Sequence, residues 1–483
     1  MKYIVSFSIT LLLLLCKAYA QSWTTPVNVS NMTSLNLTPS FTIDTNNIIH
    51  VVWAHKIEDN LHYLTIIMHS QSFDDGLTWD APDTVLHIPD AWLFRTNIAC
   101  DNLNHLVLTF DSISWGGTYT QVYAMEFNGQ QWTAHHRISS LNNAKENRII
   151  ADHNGRVYCF WHEYYNQSFK FMYKYYENGQ WSDTCIPYAD TNEYQLENID
   201  VDADNNLHGV GYFTGHGQTY DKMVFAYFRY EYFNQQWSPV EIVNTGLPFQ
   251  GCDIAADTLL LPQLVFSQYT SIMPYDYGML YQKQGLWGWE PADTVVNHEE
   301  EYYPQIGINN LNEPEIVTVE LITNDNTLLY NYYKKDGEYQ RELIDSNGSI
   351  LFTCLLKKNN SLKLIYGKMP LNSGWNGNVY FTSKSIYVAA NEPIERQFKI
   401  FPNPGNGKFE LTFITKQNTS AIIKVYDMLG KIVYHQSDFT LVPGTNSLKI
   451  DILKSNPGLP SGMYRVVVQT GNQILQTSYL LLP

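Results

Sequence analysis

From residue 41 onward the chain repeats one pattern: an alternating apolar run, a turn rich in Asp and Asn, then a second alternating run. FTIDTNNIIHVVW (41–53), IACDNLNHLVLTF (98–110), IIADHNGRVYCFW (149–161), VDADNNLHGVGYF (201–213) and QIGINNLNEPEIVTV (305–319) all follow it. Alternation with a period of two places every second side chain on one face, as in a strand. Asp and Asn tolerate the left-handed backbone that tight hairpins need. A third, Tyr-rich run follows, as in KFMYKYY (170–176) and MVFAYFRYEYF (223–233), and an aromatic residue then opens a fourth strand. These aromatics are Trp23, Trp79, Trp132, Trp181, Trp237, Trp289 and Tyr339, at spacings of 56, 53, 49, 56, 52 and 50 residues. Such a period suits a four-stranded propeller blade.

The last repeat offers three strands (ILFTCLLKK, SLKLIYGK, GNVYFTSKSI) and no Trp strand, whereas Trp23 to Val29 has that strand's form and no repeat of its own. Pairing the two removes an open sheet edge. The expected fold is therefore all-β, a seven-bladed β-propeller over residues 21–388 followed by a small β-sandwich. Residues 389–396 read as a linker between them.

One repeat carries Ser72-Phe73-Asp74-Asp75-Gly76-Leu77-Thr78-Trp79. This resembles the Asp-box of sialidase-like, BNR-type propellers. The resemblance implies a structural role for Ser72, Asp74, Gly76 and Trp79, on a turn between the third and fourth strands and away from the active face. At the other end stand Phe401-Pro402-Asn403-Pro404-Gly405-Asn406-Gly407-Lys408-Phe409, IIKVYDMLGKIVYHQ (422–436) and LPSGMYRVVVQTGNQILQTSYLLL (459–482). In this order the blocks resemble the C-terminal sorting domain of the type IX secretion system. That resemblance makes residues 397–483 a sandwich of about seven strands, with the secretion machinery as partner.

The N-terminus agrees with export. Lys2, an apolar stretch from Ile4 to Leu15, and Ala18-Tyr19-Ala20 form a signal peptide over residues 1–20. No later segment has the ~20 apolar residues a membrane-spanning helix needs. The mature protein is thus expected to cross the periplasm and reach the outer cell surface or the medium, without a transmembrane helix.

Composition narrows the partners. The 483 residues carry 30 Lys+Arg against 47 Asp+Glu, a formal charge of −17, which argues against nucleic acid. Aromatics reach 14%, including 35 Tyr and 12 Trp, which suits both strand packing and sugar faces. Beyond Cys16 of the signal, Cys100, Cys159, Cys185, Cys252 and Cys354 are scattered without a CxxC pair or zinc-ligand spacing. No metal or other cofactor is implied.

In a propeller, residues that begin the first strand and end the second ring one central mouth. This topology selects His55, Arg95, Asp111, Arg148, Glu320, Trp53 and Trp161 as ligand-binding candidates, and His162, Glu163, Glu197 and Tyr303 as catalytic ones. Sialidase chemistry, as the resemblance implies it, needs three arginines on the substrate carboxylate. Only Arg95 and Arg148 begin inner strands; Arg137 and Arg341 fall on outer strands, Arg156 in a turn and Arg229 on a third strand. The favoured function is a secreted or surface propeller that binds an extracellular glycan or other surface ligand through its mouth. The alternative is a polysaccharide lyase or glycoside hydrolase. In that case His55, His162 or Tyr303 would move a proton while Arg95 or Arg148 neutralises a uronate carboxylate, or Glu163 and Glu197 would act as hydrolytic acid and base.

Overall fold

A computed structural model describes residues 22–386 and 398–482, except 60–61, 89–90, 115–116, 141–142, 166–167, 219–221, 273–274, 286–287, 298–300, 324–325, 359, 372–375, 416–418, 428–430, 443 and 471–472. The expected signal peptide and linker lie outside the described residues. The chain divides into two compact units, residues 1–387 and 388–483. Among the described residues, both are built from strands apart from one short helix, Ile452–Ser455.

The described residues of the first unit form seven antiparallel sheets of four or five strands. Each sheet begins with an inner strand: Leu35–Ile43, Ala91–Cys100, Ala144–Ala151, Glu193–Val201, Pro248–Ala256, Glu301–Ile308 and Gly348–Lys358. Every inner strand packs against that of the next sheet, and the seventh packs against the first. The second strands are apolar on both faces because both faces are covered. In Ile49–Asp59, Val51 and Trp53 pack with Phe381 and Val379 of the seventh sheet. The residues between them, Val52 and Ala54, pack with Leu108 and Phe110 of the second.

The Asp/Asn-rich turns have a common construction. The side-chain oxygen of Asp44 accepts the N–H groups of Asn46 and Ile48 at 2.9 and 2.7 Å. Asp101, Asp152, Asp202, Asp257 and Asn309 repeat this with the residues two and four further on. The residue three further on is left-handed each time: Asn47, Asn104, Gly155, Asn205, Leu260 and Asn312. Neighbouring turns are tied together, Thr45 to Asn104 and Thr258 to Asn312 through both N–H and hydroxyl.

The seventh sheet takes its fourth strand from the start of the chain. Val27 pairs with Phe381 and Asn28 with Tyr380. The flanking bonds Thr24 N–H to Ser383 O and Val29 N–H to Val379 O are both 2.8 Å.

The turn from Ser72 to Trp79 follows the third strand of the first sheet. Asp74 accepts both the Thr78 N–H (2.8 Å) and the Thr78 hydroxyl (2.5 Å), which hold its carboxyl below the usual range. Ser72 Oγ accepts the Gly76 N–H, and Trp79 lies edge-on to Phe381 at 5.3 Å. Gly76 has φ +89°, and a Cβ there would stand 2.1 Å from the Phe381 ring. Backbone strain and overpacking therefore add in Gly76→Ala, by about 1–3 kcal/mol each. Its denaturant midpoint should fall well below wild type, whereas Gly129→Ala (φ +90°, open space) should show the strain alone.

The second unit has seven strands among its described residues, in sheets of three and four. Its core includes Leu411, Ile423, Val425, Tyr464, Val466 and Tyr479. The first and last sequence blocks meet there. Asn403 Oδ1 accepts the Leu480 N–H at 2.9 Å, the Tyr479 hydroxyl accepts the Gly407 N–H at 2.8 Å, and Phe409 packs on Tyr479 at 4.4 Å.

Candidate functional site

The seven inner strands enclose a cavity of about 650 Å³. It runs from Ser40, Arg148, Asn198, Asp253 and Gln305 to the turn residues Thr45, Asp101 and His153. Burial pushes the Asp253 carboxyl up to about 7, and its oxygen accepts the Ile306 N–H at 2.8 Å.

Just above the cavity, all seven inner strands slip register against their second strands. Such bulges re-aim side chains and concentrate at sheet rims and near active sites. The extra residues include Thr38, Arg95, Glu146, Glu197, Gly251, Tyr303 and Phe352. Together they define the mouth.

Sheets two to four contribute a charged arc. Asp111 accepts the N–H of Glu146 at 2.6 Å and the Asn147 amide at 2.5 Å, while burial pushes its carboxyl up. Asn147 in turn accepts from Asn97 and Thr109. Arg148 donates to Glu197 O (2.6 Å), Asn198 Oδ1 (3.3 Å) and Asn147 O (3.1 Å), and pairs with the Glu197 carboxylate at 3.5 Å. Burial, and then the charge of Arg95, push Arg148 down to about 10. Among the described residues the Arg95 guanidinium has no hydrogen-bond or ion-pair partner, although its charge acts on Asp111, Glu146 and Arg148. Arg148 is thus a strut and Arg95 an open hand.

His162 is fully committed. The Leu196 N–H donates to Nε2 at 2.8 Å, so Nδ1 carries the proton toward the Glu146 carboxylate, also 2.8 Å away. The ring is 2% exposed. Despite the cost of desolvation, the His162 bond helps hold the Glu146 carboxyl well below its usual range.

The other candidates stand outside the charged arc. Glu163 is buried, accepting from Trp161 Nε1 at 2.8 Å and from the Ser140 hydroxyl, and desolvation pushes its carboxyl up. Trp53 and His55 both meet Asn36 Oδ1 at 2.9 Å, and burial lowers the His55 pKa. Trp53 and Trp161 are core residues, 0% and 1% exposed, rather than walls of the mouth. Glu320 pairs with Arg341 at 3.5 Å, away from the charged arc. Tyr303 is exposed at the mouth, across from that arc.

The sequence reading missed Glu146 and Phe352. The polar triplet Glu146-Asn147-Arg148, which interrupts the alternation at the start of an inner strand, is the one signal that marks the first. Among the described residues no group of three or more His, Cys, Asp or Glu side chains could hold a metal ion.

Comparison with known proteins separates the two units. Residues 399–481 match the family model of the secretion system C-terminal sorting domain. The tail is a type IX secretion sorting domain. It implies export, to the medium or the outer surface. Among the described residues no helix is long and apolar enough to cross a membrane. A search of the curated proteins gives no match. Two solved structures of an ulvan lyase, a polysaccharide lyase of a then-new family, align over 73% of this chain and 95% of theirs, with TM-score 0.53. Sequence identity is 9% for the structure bound to -[GlcA(1-4)Rha3S]- and 10% for the other. An α-L-arabinanase from Penicillium chrysogenum aligns over 76% of this chain and 99% of its own, at TM-score 0.40 and 11% identity. The ulvan lyase alignments give the fold likeness, a propeller-like arrangement of small antiparallel sheets.

Proposed function

We propose that the first unit is a seven-bladed, sialidase-like β-propeller that binds an acidic extracellular glycan through its mouth. The cyclic packing of seven inner strands and the Asp-box-like construction of the Ser72–Trp79 turn support the architecture. The observation that carries the function is Arg95. Its guanidinium makes no hydrogen bond or ion pair among the described residues, and it stands two residues before Asn97 of the cavity wall, in a protein of charge −17. A carboxylate or sulfate on a sugar would give it the charge-assisted bonds it lacks. Binding stands ahead of catalysis because His162, Glu163 and Glu197 are each held by neighbours. The class of glycan to try first comes from the ulvan lyase likeness. A glycan array probed with the mature protein should give hits among uronate or sulfated glycans that weaken as salt rises. Hits confined to neutral glycans would remove the acidic reading.

A second reading, polysaccharide lyase, is favoured by one observation: Arg95 and the exposed Tyr303 are both at the mouth. There Arg95 would neutralise a uronate carboxylate and the Tyr303 hydroxyl would move the proton.

The sorting domain is read as an address with its own core. Cells producing the protein without residues 397–483 should retain a folded propeller in the periplasm. Normal amounts at the surface, measured by fractionation and immunoblot, would contradict this.

A further inference from the structure

The bulge at the mouth has a cost that its residues do not explain structurally. Thr38, Glu146, Tyr303 and Phe352 occupy the left-handed region there, at φ +49°, +60°, +51° and +54°. For L-residues this conformation is unfavourable, and for bulky ones it is an outlier that points to function. The fifth sheet meets the same requirement with Gly251, at φ +103°. Glycine is therefore compatible with the position, yet two neighbouring sheets place aromatic rings on it. Those rings are not buried in compensation: Tyr303 is 54% exposed and Phe352 45%. Among the described residues neither makes a hydrogen bond through its side chain, and Phe352 has no ring partner.

We propose that Tyr303 and Phe352 form an aromatic platform for a sugar ring, three and two sheets round the mouth from Arg95. This rests on the glycan-binding reading and extends it to a ligand of at least two sugar units. One unit presents its anion to Arg95, and the other lays an apolar face on the rings. The size of the patch favours a sugar. Two rings offer far less than the roughly 800 Å² per partner of a stable protein interface, whereas flat amphipathic side chains beside polar groups suit a saccharide. Gly251 borders the platform, since a Cβ there would lie 3.7 Å from Tyr303 Cδ1.

The test exploits the strain. Phe352→Gly and Phe352→Asn put residues that accept the left-handed region at that position. In the full mature chain they should leave Tm unchanged or raised. Affinity for a uronate tetrasaccharide should fall about 10-fold, the worth of burying one aromatic side chain, with binding of free glucuronate unaltered. Tyr303→Phe, which keeps the ring, should keep tetrasaccharide affinity; Tyr303→Gly should lose it. Arg95→Ala should weaken both probes. A fall in Tm with unchanged tetrasaccharide affinity would make the rings packing residues and overturn the proposal. Loss of glucuronate binding in the Phe352 variants would overturn it too. If wild type binds a neutral tetrasaccharide but no uronate, and Phe352→Gly abolishes that binding, the platform stands and the acidic reading falls. Binding of neither series removes both.

Discussion

Deleting residues 22–30 is expected to unfold the first unit or lower its Tm by more than 10 °C. The segment contributes the last strand of the seventh sheet, pairing Val27 and Asn28 with Phe381 and Tyr380 and adding backbone bonds from Thr24 and Val29. Ser30 adds two more: its hydroxyl meets Asn378 Oδ1 at 2.9 Å and accepts the Val379 N–H at 3.0 Å. Val29 is 2% exposed in the cluster around Phe41 and Phe381. Burying Val29 is worth about 1.5–3 kcal/mol, and each net hydrogen bond about 1 kcal/mol. The sum is comparable to the roughly 5–15 kcal/mol that stabilises a whole domain. Deletion would also leave the strand Asn378–Ser385 as an open sheet edge, exposed to association. Thermal unfolding followed by far-UV circular dichroism reads this directly. A truncated protein melting within a few degrees of wild type would mean that the ring closes by other contacts.

The repeat was legible because its turns and strands each leave a local mark. The Asp/Asn turns are marked by residues whose side chains hydrogen-bond their own backbone, and the strands by alternation. Closure at Trp23 to Val29 was legible as an accounting matter, one strand missing at one end and one left over at the other. The mouth was much less so. Sheet faces in the first unit pack against neighbouring sheets, so alternating residues near a strand end belong to different neighbours. Trp161 turns toward Val122 and Ala124 of the second sheet, whereas His162, one residue on, meets Leu196 of the fourth. The sequence places both at the mouth; His162 meets Glu146 there, whereas Trp161 turns into the core, because strand ends can be read from the sequence and side-chain direction cannot. The bulges escaped for a similar reason. An extra residue shifts the alternation by one and carries no composition of its own, as Thr38, Glu146, Tyr303 and Phe352 illustrate.

The same geometry separates two arginines that the sequence alone treats as equivalent. Arg148→Ala removes the bonds to Glu197, Asn147 and Asn198 and should cost about 1–3 kcal/mol of stability through the partners left unmade. Arg95→Ala removes no bond within the described residues and should leave Tm unchanged. Its effect is on the ligand. A bond to a charged group is worth about 1.5–3 kcal/mol, so losing it should weaken binding of an acidic oligosaccharide about 10- to 100-fold. Arg137→Ala, on an exposed outer strand, should change neither quantity.

Calorimetric titration of a uronate oligosaccharide into the wild-type, Arg95→Ala and Arg137→Ala proteins, each confirmed folded by its melting curve, therefore tests the central claim. The account predicts that Arg95→Ala alone loses 10- to 100-fold in affinity, together with most of the salt dependence seen in wild type. Equal losses in the two variants, or undiminished binding in Arg95→Ala, would contradict it.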